Sequence, residues 1–569
     1  VWFNPAVPGQ PIRSRSGLLA VGGAALALVI VLAGVLVVRP WHSRGSAAPV
    51  GTAPSFVDDT AGSGVDHVYD GEFEFFVGGG VAAFDCDDDG RPDLYLAGGT
   101  EPAALYRNES PVGGMLRFEA VPSPVTDLTA VTGAYPLDVD SDGLVDLVVL
   151  RRGPNAILRG LGGCRFEDAT DELGLDAGDD WTTAFSATWE GTNLLPTLAF
   201  GSYLTPTRDL TTDHECATSW LVRPRADGPG YGDPLALRPA FCTLSVLFSD
   251  WGRSGQRDLR VSNDRHYYTG GSEQLWRITA GEAPRLYTEA DGWRPLQIWG
   301  MGIASQDVTG DGLPEVFLTS QGDNKLQTLA EGPARPTFRD IALRVGATAQ
   351  RPFAGGDVLP STAWHPEFDD VNNDGLMDLF ITKGNVEAQP DHAMRDPSNL
   401  LIGREDGTFA EGAEAAGIVD FRPSRGAAVV DLNLDGLLDL VVVHRRQGVT
   451  LWRNVGTGDA GRPQPMGGWL AVRLRQPAPN VDAIGAWLEV RTSTRTIARE
   501  VTVGGGHVSG QLGWMHVGAG GADEAEVRVH WPDGEVGPWI EVPADAFVTI
   551  ERGATEPTVW RPEPGEEPR

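Results

Sequence analysis

The chain has 569 residues, several times a typical domain of roughly 100 to 200, which excludes a single small module. Its 73 glycines and 41 prolines are about a fifth of the residues, a turn-rich composition short of the ~25–30% of low-complexity disorder. A formal charge of −33, from 78 acidic against 45 basic side chains, excludes global phosphate neutralisation and with it nucleic-acid binding; cations are the expected partners.

Residues 1–16 form a short N-terminal tail. Gly17 to Val38 is an uncharged apolar run of 22 residues, long enough at about 1.5 Å per residue to span a bilayer core of about 30 Å. It reads as a transmembrane helix. The competing reading, a cleaved signal peptide that releases a secreted protein, has to explain an apolar run longer than the usual ~7–15 residues. It must also explain Arg39-Pro40-Trp41, which offers no small-residue cleavage site. Residues 39–54 are a spacer rich in Ser, Ala, Gly and Pro.

Beyond residue 55 one nonapeptide recurs. It reads DCDDDGRPD from Asp85, DVDSDGLVD from Asp138, DVTGDGLPE from Asp307, DVNNDGLMD from Asp370 and DLNLDGLLD from Asp431. The gap of 169 residues between the second and third copies is about three periods, which predicts two decayed copies. Asp250 to Asp258 keeps the first and ninth acids, and Thr188 to Pro196 keeps only the trailing apolar run. Seven units of 50 to 63 residues result.

Each intact nonapeptide precedes an apolar run rich in β-branched residues, such as DLVVLRRG or DLFITKGN, then a second short strand such as ALYRN. The units are all-β. An F-x-D strand closes several of them (Phe166 to Asp168, Phe338 to Asp340), and an extra copy, Phe56 to Asp58, stands before the first unit while none follows Trp452 in the last. That displacement predicts a seven-bladed β-propeller over 55–456, closed by its N-terminal strand, since closure removes exposed sheet edges.

In D-x-D-x-D-G-x-x-D the oxygens at positions 1, 3, 5 and 9 converge around the turn that Gly at position 6 allows, an oxygen-only shell suited to Ca²⁺. The candidate ligands are Asp85, Asp87, Asp89 and Asp93; Asp138, Asp140, Asp142 and Asp146; Asp307, Thr309, Asp311 and Glu315; Asp370, Asn372, Asp374 and Asp378; and Asp431, Asn433, Asp435 and Asp439. Thr309 makes the third set the weakest. About five structural Ca²⁺ sites are expected, at the roughly 10⁻⁴–10⁻³ M affinity of extracellular modules. The plain alternative is acidic turns that hold no metal, and it prevails for the copies at 188 and 250. Calcium outside the cell sets the expected topology: a single-pass membrane protein with its C-terminal bulk extracytoplasmic.

VGGGVAAFDCDDDGRPDLYL and SRGAAVVDLNLDGLLDLVVV resemble FG-GAP repeats, also called VCBS repeats, of the integrin-α propeller type. GGWLAVRL, NVDAIGAWLEV, REVTVGGGHVSG and AEVRVHWPDGEV resemble the ASPIC/UnbV domain. The ordered pair implies a bacterial relative of cartilage acidic protein. The resemblance implies architecture and calcium, not an activity. The second segment, 467–552, reads from its alternating strands and P-D-G and G-G-G turns as a small β-sandwich. Residues 553–569, with their Glu-Pro repeats, read as a disordered tail.

Five residues before each nonapeptide stand Gly80, Gly133, Thr183, Ser245, Gly302, His365 and Gly426, and six of the seven are small. First strands of a propeller converge on its axis, so small residues there permit close approach. His365 is the exception, and with Trp364, Arg425 and Met301 it forms a candidate ligand pocket at one channel mouth. The alternative is that His365 fills a gap left by irregular blades. No G-x-S-x-G, H-E-x-x-H or Cys–His set is present, and Asn108-Glu-Ser110 matches a glycosylation sequon by pattern only. Two functions follow: a membrane-anchored adhesion or binding module for a glycan or protein ligand, or an extracytoplasmic enzyme on carbohydrate or phosphoester with its site near His365.

The four cysteines, Cys86, Cys164, Cys216 and Cys242, match no C-x-x-C motif. Cys216 and Cys242 would close a loop of about 25 residues; two free thiols remain the equal alternative.

Overall fold

Second strands carry the architecture. In Asp93–Leu96, Asp146–Arg151, Asp258–Asn263, Glu315–Ser320, Asp378–Lys383 and Asp439–His444 almost every residue is buried, whichever way it points. A strand loses both faces to solvent only when neighbouring sheets cover both. The computed structural model describes residues 49–205, 215–226, 228–264, 270–387 and 389–562. The 1–16 tail, the 17–38 apolar run and most of the spacer lie outside them. Among the described residues no helix is long and apolar enough to cross a membrane.

Among the described residues seven antiparallel strand groups follow one another, each strand pairing with the next in its group, and the third and fourth are joined into one larger sheet. Their first strands are Val81–Phe84, Val131–Leu137, Thr182–Thr188, Thr243–Ser249, Gly300–Gln306, Ala363–Asp369 and Ser424–Val430. These touch in succession, and the last touches the first, so the sheets form a closed ring. The decayed copies at 188 and 250 sit at the corresponding turns of the third and fourth sheets. The F-x-D segments Phe166–Asp168 and Phe338–Asp340 and the looser Phe409–Glu411 are outermost strands, and Phe118–Ala120, which lacks the acid, takes the same place in the first sheet.

The seam closes as the displaced F-x-D copy predicts. Ser55–Asp58 pairs antiparallel with Thr450–Gly456, placing Phe56 opposite Asn454 and completing the last sheet. The next residue, Asp59, holds Arg453 Nε at 2.6 Å, both side chains being buried. The same carboxylate accepts the Leu116 N–H from the first sheet. One buried ion pair therefore links the N-terminal strand, the last sheet and the first.

The C-terminal domain has two four-stranded sheets. One orders Met515–Gly520, Gly468–Arg475, Ala546–Glu551 and Thr558–Trp560; the other orders Thr496–Glu500, Trp487–Arg491, Glu524–His530 and Ile540–Pro543. Leu470, Val472, Leu488, Val490, Val527 and Val548 share the core, so this is a sandwich. The disordered-tail reading of 553–569 is corrected for Thr558–Trp560, which adds an edge strand because Trp560 packs against Phe547 and Trp514.

Sequence reading did not anticipate where the sandwich sends its 503–511 segment. Val503–Gly504 pairs with Ser186, Ala187 and Leu247, fusing the third and fourth sheets. Gly506 bridges Ile303, and the His507 N–H donates to His365 Nδ1 at 3.0 Å. Ser509 bridges Ala134, and Gly510–Gln511 runs parallel to Ala82 and Ala83. At the seventh sheet a Cβ on Gly426 would meet Ser509 Oγ at 2.3 Å. The segment thus touches all seven first strands. The small residues at the axis make room for it: a Cβ on Gly80 would fall 1.8 Å from the Val508 carbonyl oxygen.

Both cysteine pairs are bridged, Cys86 to Cys164 and Cys216 to Cys242, which resolves the open pairing. Each bridge ties one sheet to the next. Asp59→Ala should strand the Arg453 charge and cost about 3–5 kcal/mol, seen as a lower denaturant midpoint than that of the parent; an unchanged midpoint would show that the seam is held elsewhere.

Candidate functional site

Each acidic nonapeptide forms the turn between the first and second strands of its sheet, and the turns share one backbone. Position 6 has positive φ in Gly90, Gly143, Gly255, Gly312, Gly375 and Gly436. Position 4 is also left-handed, including the non-glycines Asp88, Ser141, Arg253, Asn373 and Leu434. For Leu434 this costs about 1–2 kcal/mol, strain that the surrounding contacts must hold.

Positions 1 and 9 do the structural work. Asp85 accepts the N–H of Asp89 at 3.2 Å and of Gly90 at 2.9 Å, and Asp138, Asp370 and Asp431 repeat the pattern. Asp93 accepts the N–H groups of Cys86 and Asn108, each at 2.7 Å; Asp146, Asp378 and Asp439 do the same for their own turns and third strands. Backbone donors thus preorganise the turns.

Free oxygens stand at position 3 and, in the seventh turn, also at position 5. Asp87 Oδ1, Asp140 Oδ1, Asn433 Oδ1 and Asp435 Oδ2 are buried without a partner. Carboxylate oxygens of Asp85, Asp87 and Asp93 lie within 4.8 Å of one another, as do those of Asp138, Asp140 and Asp146. Oxygens bound to one Ca²⁺ at 2.3–2.6 Å stand at most about 5 Å apart, so these two sets fit such an ion. Asp89 and Asp142 at position 5 accept the N–H groups of Arg91 and Leu144. In the sixth turn Asn372 donates to the Thr52 carbonyl and to Asp374, which also accepts the Gly51 N–H, tying the spacer to this turn. In the seventh, Asp435 accepts the Leu437 N–H. In the fifth, Thr309 Oγ1 donates to Glu315 at 3.3 Å while Asp311 accepts the Leu313 N–H and Asp307 those of Gly310 and Gly312.

Burial of like charge raises these carboxyls. Desolvation pushes Asp85 to about 6, against the pull of Arg473, and Asp138 to about 7. It lifts Asp146 to about 8 and Glu315 to about 7. Asp93, Asp370, Asp378, Asp431 and Asp439 are raised well above the ordinary range, by burial first and by neighbouring carboxylates. The acids of the decayed turns have side-chain partners from the protein instead. Asp258 accepts Trp251 Nε1 at 2.9 Å and Tyr287 Oη at 2.8 Å, and Glu190 of the third turn pairs with Arg223 at 2.7 Å.

Trp364, Arg425, Met301 and His365 do gather at the axis, but all four are buried. Arg425 stacks over Trp364 at 4.2 Å, and His507 packs on Trp364 with ring centres 5.0 Å apart. The guanidinium donates to the carbonyls of Phe76, Ser424, Asn385 and Val386. His365 uses Nδ1 on the inserted segment and lies 3.3 Å from Glu367 through Nε2. Sequence reasoning missed His507, which lies in a G-G-G-H run of a different domain. Asn108 is buried, donating to Pro92 and Leu432 carbonyls, which removes it as a glycosylation acceptor.

The FG-GAP-like repeat family matches residues 85–149 and 370–442, and the ASPIC and UnbV family matches 476–557. No curated protein matches, so kinship with cartilage acidic protein rests on the motifs alone. Among solved structures, PorZ, a surface component of the type-IX secretion system of Porphyromonas gingivalis, is similar at 13% identity and TM-score 0.37, covering 85% of this chain and 60% of that one. Sqt1 of Saccharomyces cerevisiae is similar at 12% and 0.35, covering 71% and 98%. An Agrocybe aegerita lectin, whose structure concerns recognition of non-reducing terminal N-acetylglucosamine, is similar at 14% and 0.29, covering 67% and 78%. Likenesses this distant carry no argument about function.

A carboxyl whose folded pKa is raised binds its proton more tightly folded than unfolded, so it lowers stability as pH climbs from about 4 through the folded values of about 6 to 8. The thermal midpoint of the chain in chelator should therefore fall between about pH 5 and about pH 8, and excess calcium should flatten or reverse that fall, because the ion needs deprotonated ligands. A metal-free midpoint that rises across the window would contradict the buried-charge account.

Proposed function

We propose that this chain, which carries FG-GAP-like repeats and an ASPIC and UnbV domain, is a seven-bladed β-propeller rigidified by Ca²⁺. An N-terminal membrane helix holds it outside the cytoplasm, where it acts as a binding or adhesion module for a glycan or protein ligand. The observation that carries this reading is the pair of buried, unpartnered oxygens Asp87 Oδ1 and Asp140 Oδ1, each set among carboxylates that already spend their other atoms on the backbone.

The all-oxygen donor sets suit a hard cation and not zinc. The first two turns would hold the ion through Asp85, Asp87 and Asp93 and through Asp138, Asp140 and Asp146; the sixth and seventh offer an Asn carbonyl in place of one carboxylate. When bound, the ion supplies the positive charge these turns lack. Two disulfides support an oxidising compartment, and the 17–38 run supports the anchor. Arg425 and His365 spend their polar atoms on protein partners, which supports a scaffold over a catalytic centre at the axis.

The test is thermal unfolding of the purified full chain against free calcium, with bound ions counted in parallel. The expected result is a rise in midpoint of several degrees and up to one ion for each of the five intact turns. No bound ion and no shift at millimolar calcium would end the scaffold reading and remove the support for an external topology.

A further inference from the structure

The 503–511 segment carries a histidine into the axis. His507 is 0% exposed and packs on Trp364, and among the described residues neither of its ring nitrogens has a hydrogen-bond partner. Backbone bonds hold the segment on either side of it. The N–H groups of Gly505 and Gly506 donate to the Val246 and Ile303 carbonyls at 2.8 and 2.7 Å, and Ser509 Oγ accepts the Val81 N–H at 3.1 Å. Between them the His507 N–H donates to His365 Nδ1, a bond that exists only while Nδ1 carries no proton.

The charged groups set against the His507 ring are Arg425 from the seventh sheet and His365 from the sixth. Arg425, itself faced by Arg445, Tyr69 and Glu387, is fully buried and stacks on the same indole, Trp364. His365 stands 3.3 Å from Glu367, which Asp369 and Arg499 face in turn. A proton on His507 therefore adds a positive charge beside a buried guanidinium with no hydrogen-bonded counter-charge. A proton on His365 Nδ1 sets two donors against each other.

Burial first, then the charges of Arg425 and His365, push His507 down to about 3, against the pull of the Val77 and Leu244 carbonyls. A histidine in water titrates near about 6.5. Insertion is thus at full strength above about pH 6.5 and weakens about tenfold for each unit below it, down to the inserted value. The raised carboxyls of the acid turns have the opposite sign and gain from acid, so the ring holds while the segment loosens. A cavity of about 220 Å³ beside the segment, lined by Gly504, Gly506, Ser509 and Gly510 and by Met515 and His516 of the sandwich, gives it room to move.

We propose that 503–511 is an acid-released plug: protonation of His507, with His365 beside it, drives the segment from the axis toward the sandwich and uncovers Trp364 and Arg425. This goes beyond the binding-module reading by giving the axis an open state, and it requires no ion.

Hydrogen exchange of the full chain in chelator, read by mass spectrometry and corrected for the intrinsic exchange rate, tests this. Protection of the Gly505, Gly506 and His507 amides should fall by at least about tenfold from about pH 6.5 to about pH 4.5, while that of the buried strand Asp439–His444 stays constant. His507→Phe keeps a ring against Trp364 and takes no proton, so it should lose most of that fall. If that variant does not fold, the wild-type profile decides alone. Flat protection of residues 505–507, an equal fall in Asp439–His444, or an equal fall in His507→Phe would overturn the plug. None of these outcomes depends on whether calcium binds.

Discussion

Like charge buried at one end of most first strands is the constraint around which this fold is arranged. A carboxylate removed from water must find donors or a counter-charge, and the structure distributes these in layers. Backbone N–H groups serve positions 1 and 9 of each turn. Arginines from elsewhere supply part of the charge: Arg159 reaches Asp140 at 2.9 Å, and Arg473 of the sandwich stands 3.7 Å from Asp85. What stays uncompensated is an oxygen at position 3 in the first, second and seventh turns, with Asp435 Oδ2 beside it in the seventh.

Neighbouring sheets share in each turn. Asn108 of the first sheet donates to the Leu432 carbonyl in the turn of the seventh, and Asn454 of the seventh donates to Val371 in the turn of the sixth. Cys164 of the second sheet donates its N–H to the Cys86 carbonyl in the turn of the first, besides bridging that residue. Ordering one turn therefore orders a boundary between sheets. The fourth sheet keeps only the first and ninth acids and meets Asp258 with Trp251 and Tyr287, and the third, without the repeat's acids, pairs Glu190 with Arg223.

The sandwich docks on the face that presents these turns. Arg499 pairs with Asp369, Arg253 with Glu489, and Asn373 with His516. From this platform the 503–511 segment enters the axis and takes up backbone groups that converging first strands would leave unpaired. The axis is therefore filled by the chain itself.

The strand order of each unit, the closing strand and the acidic turns were all legible in the sequence, because each is local: nine residues set a turn, and period-two apolar runs set the strands beside it. Even the decayed copies could be found, since spacing survives when ligands do not, as Asp250 and Gly255 show. The division of labour within the turn was not legible, because D-x-D-x-D-G-x-x-D makes its acids look equivalent until backbone donors single out positions 1 and 9. Disulfide partners and the filled axis lay further out of reach. Gly80 and Gly426 announced a close approach but not to what, for their partners Val508 and Ser509 stand some 80 to over 400 residues away. Contacts between such distant segments leave no period in a sequence, so only the packing of the sandwich on the ring decided that His365, Trp364 and Arg425 would be covered by the chain's own residues.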